Sequence, residues 1–430
     1  MNCRTLLPLL VLAGCAGQAT DDASANVEVY RVSLAIPDSD LQIPFHLEVT
    51  DGVRAAVVNG QERIDVPDFA VESDGATWRL RFDLDSVLVL RREAPTNPEP
   101  RAIQTGEETT HRGLWTLNRG ARGQTRMVAK AERVRLDVAN PTQIKRFTPI
   151  QTIGSPRSNL QPRYAVDFSS SQDPAVATFD APPGGLVNGT FRTTLGDYRY
   201  LAGDLAGDFL RLSCFDGHHA FLFHATIQDD GGMNGHFWSR DTWHETWTAT
   251  PDVNADLPDT FGATTWSQTA DPEAILCTAL DGSPTDLGHV LDGGRPTVLI
   301  VFGSWCPNCH DATRLWANLH RRYQDEGLRV IGLAFELTDD TDKELKKLRE
   351  FRERQGVDYD LFLCGLADKD AASEALPVLD RVRAYPTTIF LSEEGEAIAV
   401  HTGFDGPATG EPHQRLRARF DQLISDLLDS

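Results

Sequence analysis

The chain has little with which to grip a nucleic acid. Lys and Arg number 41 against 63 Asp and Glu, a formal net charge of −22, whereas phosphate binding needs a surplus of cationic side chains on one face. Cysteine is scarce too. Seven in 430 residues exclude a small scaffold held by disulfides, which carries them at far higher density. Beyond the N-terminus no run of about 18 uninterrupted apolar residues occurs, so no membrane-spanning helix is expected there. What remains is ordinary globular composition, 40% hydrophobic and 24% charged, in a length that suggests two or three domains.

Leu6 to Ala13 is a short apolar run behind a single positive charge at Arg4. It has the length of a secretory h-region and is too short to span a bilayer. It closes in Leu12-Ala13-Gly14-Cys15, which resembles the bacterial lipobox. That resemblance implies cleavage before Cys15, diacylation of its thiol and acylation of the new N-terminus, and several acyl chains anchor a protein stably. Residues 1–14 are thus expected to be a lipoprotein signal peptide and 15–26 a flexible tether. Ala16, where an Asp would favour retention at the inner membrane, leans the expected sorting towards the outer membrane.

From about Val27 to Asp259 the pattern is that of strands. Ala76 to Leu84 and Phe209 to Phe215 alternate, and Asp51-Gly52, Asn59-Gly60, Asp74-Gly75, Asn188-Gly189 and Asp216-Gly217 supply turns. A mainly antiparallel all-β region is expected over 27–265, as a sandwich or open barrel. Segments 46–131 and 164–249 are faintly alike, so two repeated modules, 27–150 and 151–265, are one reading. From about Pro272 strands and helices alternate instead. Thr297 to Phe302 reads as a buried strand, a helix follows from about Cys309 to Glu326, and Leu328 to Phe335 is the next strand. Thr341 to Glu344 reads as a capping box. Residues 272–430 are therefore expected to form a compact α/β sheet domain.

Trp305-Cys306-Pro307-Asn308-Cys309 lies between the buried strand and the helix N-terminus. There the free N–H groups and the helix dipole favour an attacking sulfur at Cys306. Cys309, one turn further in, is shielded and close enough to close a small disulfide ring. The outer thiol attacks a partner's disulfide and the inner one resolves the mixed disulfide. Downstream, Tyr385-Pro386-Thr387 opens a strand at a position where a cis X–Pro bond fits.

Together these residues resemble the thioredoxin fold, and more narrowly the TlpA/ResA-like disulfide reductases. The segments that carry the resemblance are Gly303 to Asp311, Ile331 to Glu336 and Tyr385 to Thr387, within 272–430. Thr194 to Gly203 and Leu212 to Gly217 resemble the β-rich part that precedes this domain in some such lipoproteins. The resemblance implies a thiol–disulfide oxidoreductase with Cys306 and Cys309 as the redox pair, Trp305 beside the disulfide, and Tyr385 and Pro386 at the substrate-binding edge. Its partners would be disulfide-bearing envelope proteins, a membrane thiol-transfer electron donor, and the membrane itself through a lipid anchor, with no cofactor and no nucleic acid. One departure matters. The family often has Glu three residues after the second cysteine and Pro two residues later; here these are Ala312 and Arg314. Proton handling then falls to Glu336 or to Asp311, with Glu336 taken as the catalytic acid–base.

Other chemistries fit the same residues less well. The C-x-x-C-H string of haem attachment usually lies in a helical haem domain, structural zinc lacks a second C-x-x-C, and a Sco-like copper site needs C-x-x-x-C. A peroxiredoxin usually has Thr where Gly303 stands. The competing class is an envelope binding protein whose β region recognises a ligand while the redox module is accessory. Cys214, Cys277 and Cys364 read as buried small hydrophobes, with a structural disulfide between two of them left open. His218, His219, His224, His236 and His244 read as a histidine-bearing sheet surface, and no metal is expected.

Overall fold

Alternation sets the inward faces of the first nine strands. In Val27–Ala35 the side chains that enter the core are Tyr30, Val32 and Leu34, with Arg31, Ser33 and Ala35 on the opposite face. This strand pairs antiparallel with Gln42–Thr50 on one side and Gln124–Val134 on the other. The sheet ends at the short, charged edges Glu62–Asp65 and Asp68–Val71, which do not pair with each other. It is an open half-barrel around Phe45, Leu47, Leu80, Leu88 and Trp115. The computed structural model describes residues 26–93, 109–134, 144–150, 160–182, 185–267 and 269–429. The expected signal peptide, Cys15 and nearly all of the tether lie outside them.

A second antiparallel sheet runs from Arg163–Phe168 to Trp243–Pro251 and closes on itself. Ala175–Asp180 pairs with both Arg163–Phe168 and Leu186–Thr193, completing an eight-stranded barrel. Eight strands leave an interior that side chains alone can fill, and here Phe191, Phe223, Phe237 and Trp247 fill it. Phe191 and Phe223 stack at 4.4 Å. The two β modules share a core, because Phe215 of the barrel inserts into the half-barrel and stacks on Phe45 at 4.2 Å. Buried Arg146 bridges them, donating to Asn59 Oδ1 at 3.1 Å and to the Ser213 carbonyl at 2.9 Å.

The C-terminal domain is a seven-stranded mixed sheet flanked by helices. Its elements are β1 (Leu276–Ala279), β2 (Pro284–Asp286), α1 (Leu287–Leu291), β3 (Thr297–Phe302), α2 (Pro307–Tyr323), β4 (Arg329–Glu336), α3 (Thr341–Gln355), β5 (Asp360–Leu366), α4 (Lys369–Ala375), β6 (Thr387–Leu391), β7 (Ala397–Thr402) and α5 (Glu411–Leu428). The strand order is β2-β1-β5-β4-β3-β6-β7. β3 sits near the centre, parallel to β4 and antiparallel to β6, and is buried along its whole length. Residues covered on both faces read as a continuous apolar run rather than an alternating one. α3 departs from the sequence expectation. Its N-cap is Asp340, which accepts from Lys343 N, so Thr341 is already helical and Glu344 is buried instead of closing a capping box. Among the described residues no helix is long and apolar enough to cross a membrane.

Candidate active site

The site grows from the turn that leaves β3. Gly303 is required by close approach: a Cβ there would lie 2.2 Å from Trp305 Nε1 and 2.9 Å from the Phe335 carbonyl. The indole therefore folds back and donates to the Phe335 carbonyl at 3.0 Å. Its ring meets Tyr385 edge-on, with centroids 5.6 Å apart. Cys306 follows as the N-cap of α2, its backbone extended and its sulfur accepting the Cys309 N–H at 3.4 Å. Sγ also lies 3.4 Å from the Tyr385 carbonyl, and the Tyr385–Pro386 bond is cis. Trp305, Cys306, Cys309, Tyr385 and Pro386 thus come together at one end of the sheet.

Both thiols are buried, so Cys306 is not the open outer thiol that its place in the sequence suggested. Cys306 is 7% exposed and Cys309 0%. Burial pushes the Cys309 thiol well above its ordinary range, and the neighbouring Cys306 sulfur adds to this. Glu336, at the end of β4, is fully buried beneath the turn. Its Oε1 accepts from Ser304 N and its Oε2 from Ser304 Oγ, both at 2.8 Å, and Lys347 Nζ lies 3.2 Å from Oε2. Burial raises the Glu336 carboxyl, an effect only partly offset by Lys347. Among the described residues no hydrogen bond joins Glu336 to Cys309. Asp311, the other carboxylate considered for proton handling, is taken up by Arg314 and by Arg199 Nη1 at 3.0 Å. His310 donates from Nε2 to the Ser304 carbonyl at 2.7 Å, and burial lowers it to about 3, so it is neutral.

Sequence reasoning missed the share that both β modules take in this site. Lys347 of α3 reaches Asp85 of the half-barrel at 2.8 Å, as well as Glu336 and Glu344. Lys343 joins Asp85 at 2.7 Å. Burial alone would lower Lys347, but this ring of carboxylates keeps it firmly charged. On the other side the barrel turn at Gly196 covers the dithiol loop. Its φ is +151°, and a Cβ there would stand 2.0 Å from Asn308 Nδ2. Arg199 donates to the Pro307 carbonyl at 3.0 Å and also pairs with Glu62 of the half-barrel. Asp197 accepts from Gly406 N at 2.5 Å, and burial beside Asp311 pushes its carboxyl up to about 7. The one signal available was Thr194 to Gly203, which stood out in the sequence for another reason.

The histidines divide between two places. His218, expected on a sheet surface, is buried against Asp83 at 2.8 Å, next to the dithiol helix. His236 and His244 do lie on the barrel exterior, 3.0 Å apart. Among the described residues no group of three or more potential ligands could hold a metal. Glu62, Arg199, His218, Pro307, His310 and Asp311 line a cleft of about 750 Å³ between the β modules and α2.

A buried strand running into a helix capped by the first of two cysteines, facing a cis-proline at the start of a neighbouring strand, defines a thioredoxin-like dithiol domain. Residues 253–413 match the Redoxin family. The thiol-disulfide oxidoreductase ResA of Halalkalibacterium halodurans is 27% identical over 126 residues, which is 29% of this chain and 62% of that protein. A putative thiol:disulfide interchange protein DsbE from Chlorobium tepidum is 17% identical, with TM-score 0.27, over 36% of this chain and 92% of its own. A secreted disulfide oxidoreductase of Mycobacterium tuberculosis is 21% identical, with TM-score 0.26, over 35% and 99%. The C-terminal region is thus similar to TlpA/ResA-like thioredoxin-fold proteins, and it is preceded here by a half-barrel and a closed barrel.

Proposed function

We propose that the protein is a lipid-anchored thiol–disulfide oxidoreductase of the bacterial cell envelope that reduces protein disulfides through Cys306 and Cys309. The observation that carries this reading is Cys306 Sγ at the N-terminus of α2, with the Cys309 N–H aimed at it and the Tyr385 carbonyl 3.4 Å across. The ResA relative is by name a thiol-disulfide oxidoreductase, which supports the same activity here. Cys306 attacks a substrate disulfide and releases one substrate thiol. Cys309 then attacks Cys306 in the mixed disulfide, releases the second thiol, and closes the protein disulfide. A substrate segment lies along Tyr385 and Pro386 with Trp305 at its side, and a membrane thiol-transfer partner returns the electrons. Lipidation at Cys15 holds the protein at the membrane facing the periplasm, with the outer membrane favoured.

Glu336 is assigned the Cys309 proton. Its negative charge opposes ionisation of Cys309, so moving the proton from the thiol to the carboxylate leaves one charge where two would have stood. The test is turnover. Purified, reduced full-length protein should reduce insulin disulfides, and Cys306→Ser should abolish this; undiminished turnover in that variant would refute the reading. The cleft beside α2 favours a second reading, in which the β modules bind a ligand or partner and the dithiol is accessory. On that reading turnover is absent in the wild type as well.

A further inference from the structure

Cys277 and Cys364 face each other across two neighbouring strands. β1 pairs antiparallel with β5, Ala279 opposite Phe362 and Thr278 opposite Leu363. The next step of that register sets Cys277 opposite Cys364. β5 is also bulged against β4: Ala334 pairs with Leu363 and Phe335 with Gly365, so Cys364 is the extra residue. A bulge re-aims the side chain it leaves unpaired, and this one meets Cys277. The two sulfurs are 2.9 Å apart, both buried. That is closer than non-bonded sulfur atoms ordinarily approach. Their other polar neighbours are weak, the Ile275 carbonyl at 4.0 Å from Cys277 and the Phe362 carbonyl at 3.8 Å from Cys364.

We propose that Cys277 and Cys364 form a second, structural disulfide, distinct from the Cys306–Cys309 pair. Closing the sulfurs from 2.9 Å to bonding distance takes about 0.9 Å, within reach of small side-chain rotations. The oxidant is a disulfide, either a low-molecular-weight one or that of an extracytoplasmic thiol oxidase. One cysteine thiolate attacks it, forming a mixed disulfide and expelling one oxidant thiolate. The second cysteine thiolate attacks the protein sulfur of that bond, forming Cys277–Cys364 and expelling the other. Two protons leave the cysteines, and two electrons end on the two oxidant thiols.

Burial holds the Cys364 thiol well above its ordinary range, so exchange belongs to the stage before β1 docks on β5. Once docked, the bond is shielded from reductants and substrates alike. It closes a loop with the two cysteines 87 positions apart. Within that loop lie β3, the dithiol turn and α2, so it pins the edge hairpin β1–β2 to the sheet that carries the site. The inference needs the oxidising compartment of the proposed location but not the chemistry of Cys306.

The test uses the full chain carrying Cys306→Ser and Cys309→Ser, exported to an oxidising compartment and alkylated in denaturant without reductant. Peptide mapping should find the Cys277 and Cys364 peptides joined, about 2 Da lighter than the two free peptides together, and unalkylated until reduced. Full alkylation of both without reductant would overturn the proposal and leave the proposed activity untouched. Protein reduced in denaturant and refolded with reductant present should melt roughly 5–10 °C below the oxidised protein in its C-terminal domain, and the same treatment should leave the transition unmoved in Cys277→Ser. An equal shift in that variant would likewise overturn it.

Discussion

Cys306 and Cys309 stand three positions apart and do not share an environment. The first caps α2 and receives an N–H; the second is enclosed, and burial holds its proton on. In reduced protein at pH 7, limiting iodoacetamide should therefore modify Cys306 well before Cys309, read by peptide mass mapping. Modification in the reverse order would remove the assigned roles. Because the Cys309 thiol is raised, resolution should speed up as pH climbs above neutrality, and Glu336→Gln should slow that step far more than first attack. Lys347 is the other residue on which the site depends. Replaced by Met, it leaves Asp85, Glu336 and Glu344 buried without their common cation, a loss of about 3–5 kcal/mol in unfolding experiments. At this scale the sequence was informative only where chemistry is local. Cysteines at a strand–helix junction announce themselves, whereas Lys347 is one of several lysines in α3 and nothing in its neighbours marks it as buried.

Among the elements, α2 was legible because its apolar stripe and its start after a buried strand both follow from the chain's own pattern. Ala312, Leu315, Trp316, Leu319 and Tyr323 are all buried. The start of α3 was misread by one residue, since Asp340 and Thr341 are both good caps and tertiary burial of Glu344 decided between them. What no element showed alone was its partner. Half-barrel residue Asp85 sits under α3 only because two modules meet there, and a contact across 258 positions leaves no local trace. Asp85→Asn should weaken that docking by about 1–3 kcal/mol. It should also displace the pH dependence of resolution, because the Lys347 charge seen by Glu336 is then shared with one carboxylate fewer. An unchanged pH profile would make Asp85 a purely structural contact.

For the whole molecule, alternation announced β structure but not closure. Whether edge strands meet depends on tilt and stagger, so the open half-barrel and the closed barrel look alike as sequence. The barrel's position over the dithiol loop was equally hidden, and it predicts a pH effect. The Asp197 carboxyl is raised to about 7 in the folded protein from an ordinary 3.8. Between those values the native state holds a proton that the unfolded chain has lost. The resulting stability is complete below about pH 4 and fades as pH rises through 7. Wild-type protein should therefore lose more thermal stability between pH 5 and pH 8 than Asp197→Asn, by up to a few kcal/mol; equal losses would exclude this residue as the cause.

The dithiol mechanism itself is tested most directly by one covalent species. Reduced Cys309→Ser, mixed with a model disulfide substrate under non-reducing conditions, should accumulate a stable one-to-one mixed disulfide, and peptide mapping should place it on Cys306. If no adduct forms, or if it forms on another cysteine, Cys306 is not the attacking thiol and the account of the site is wrong.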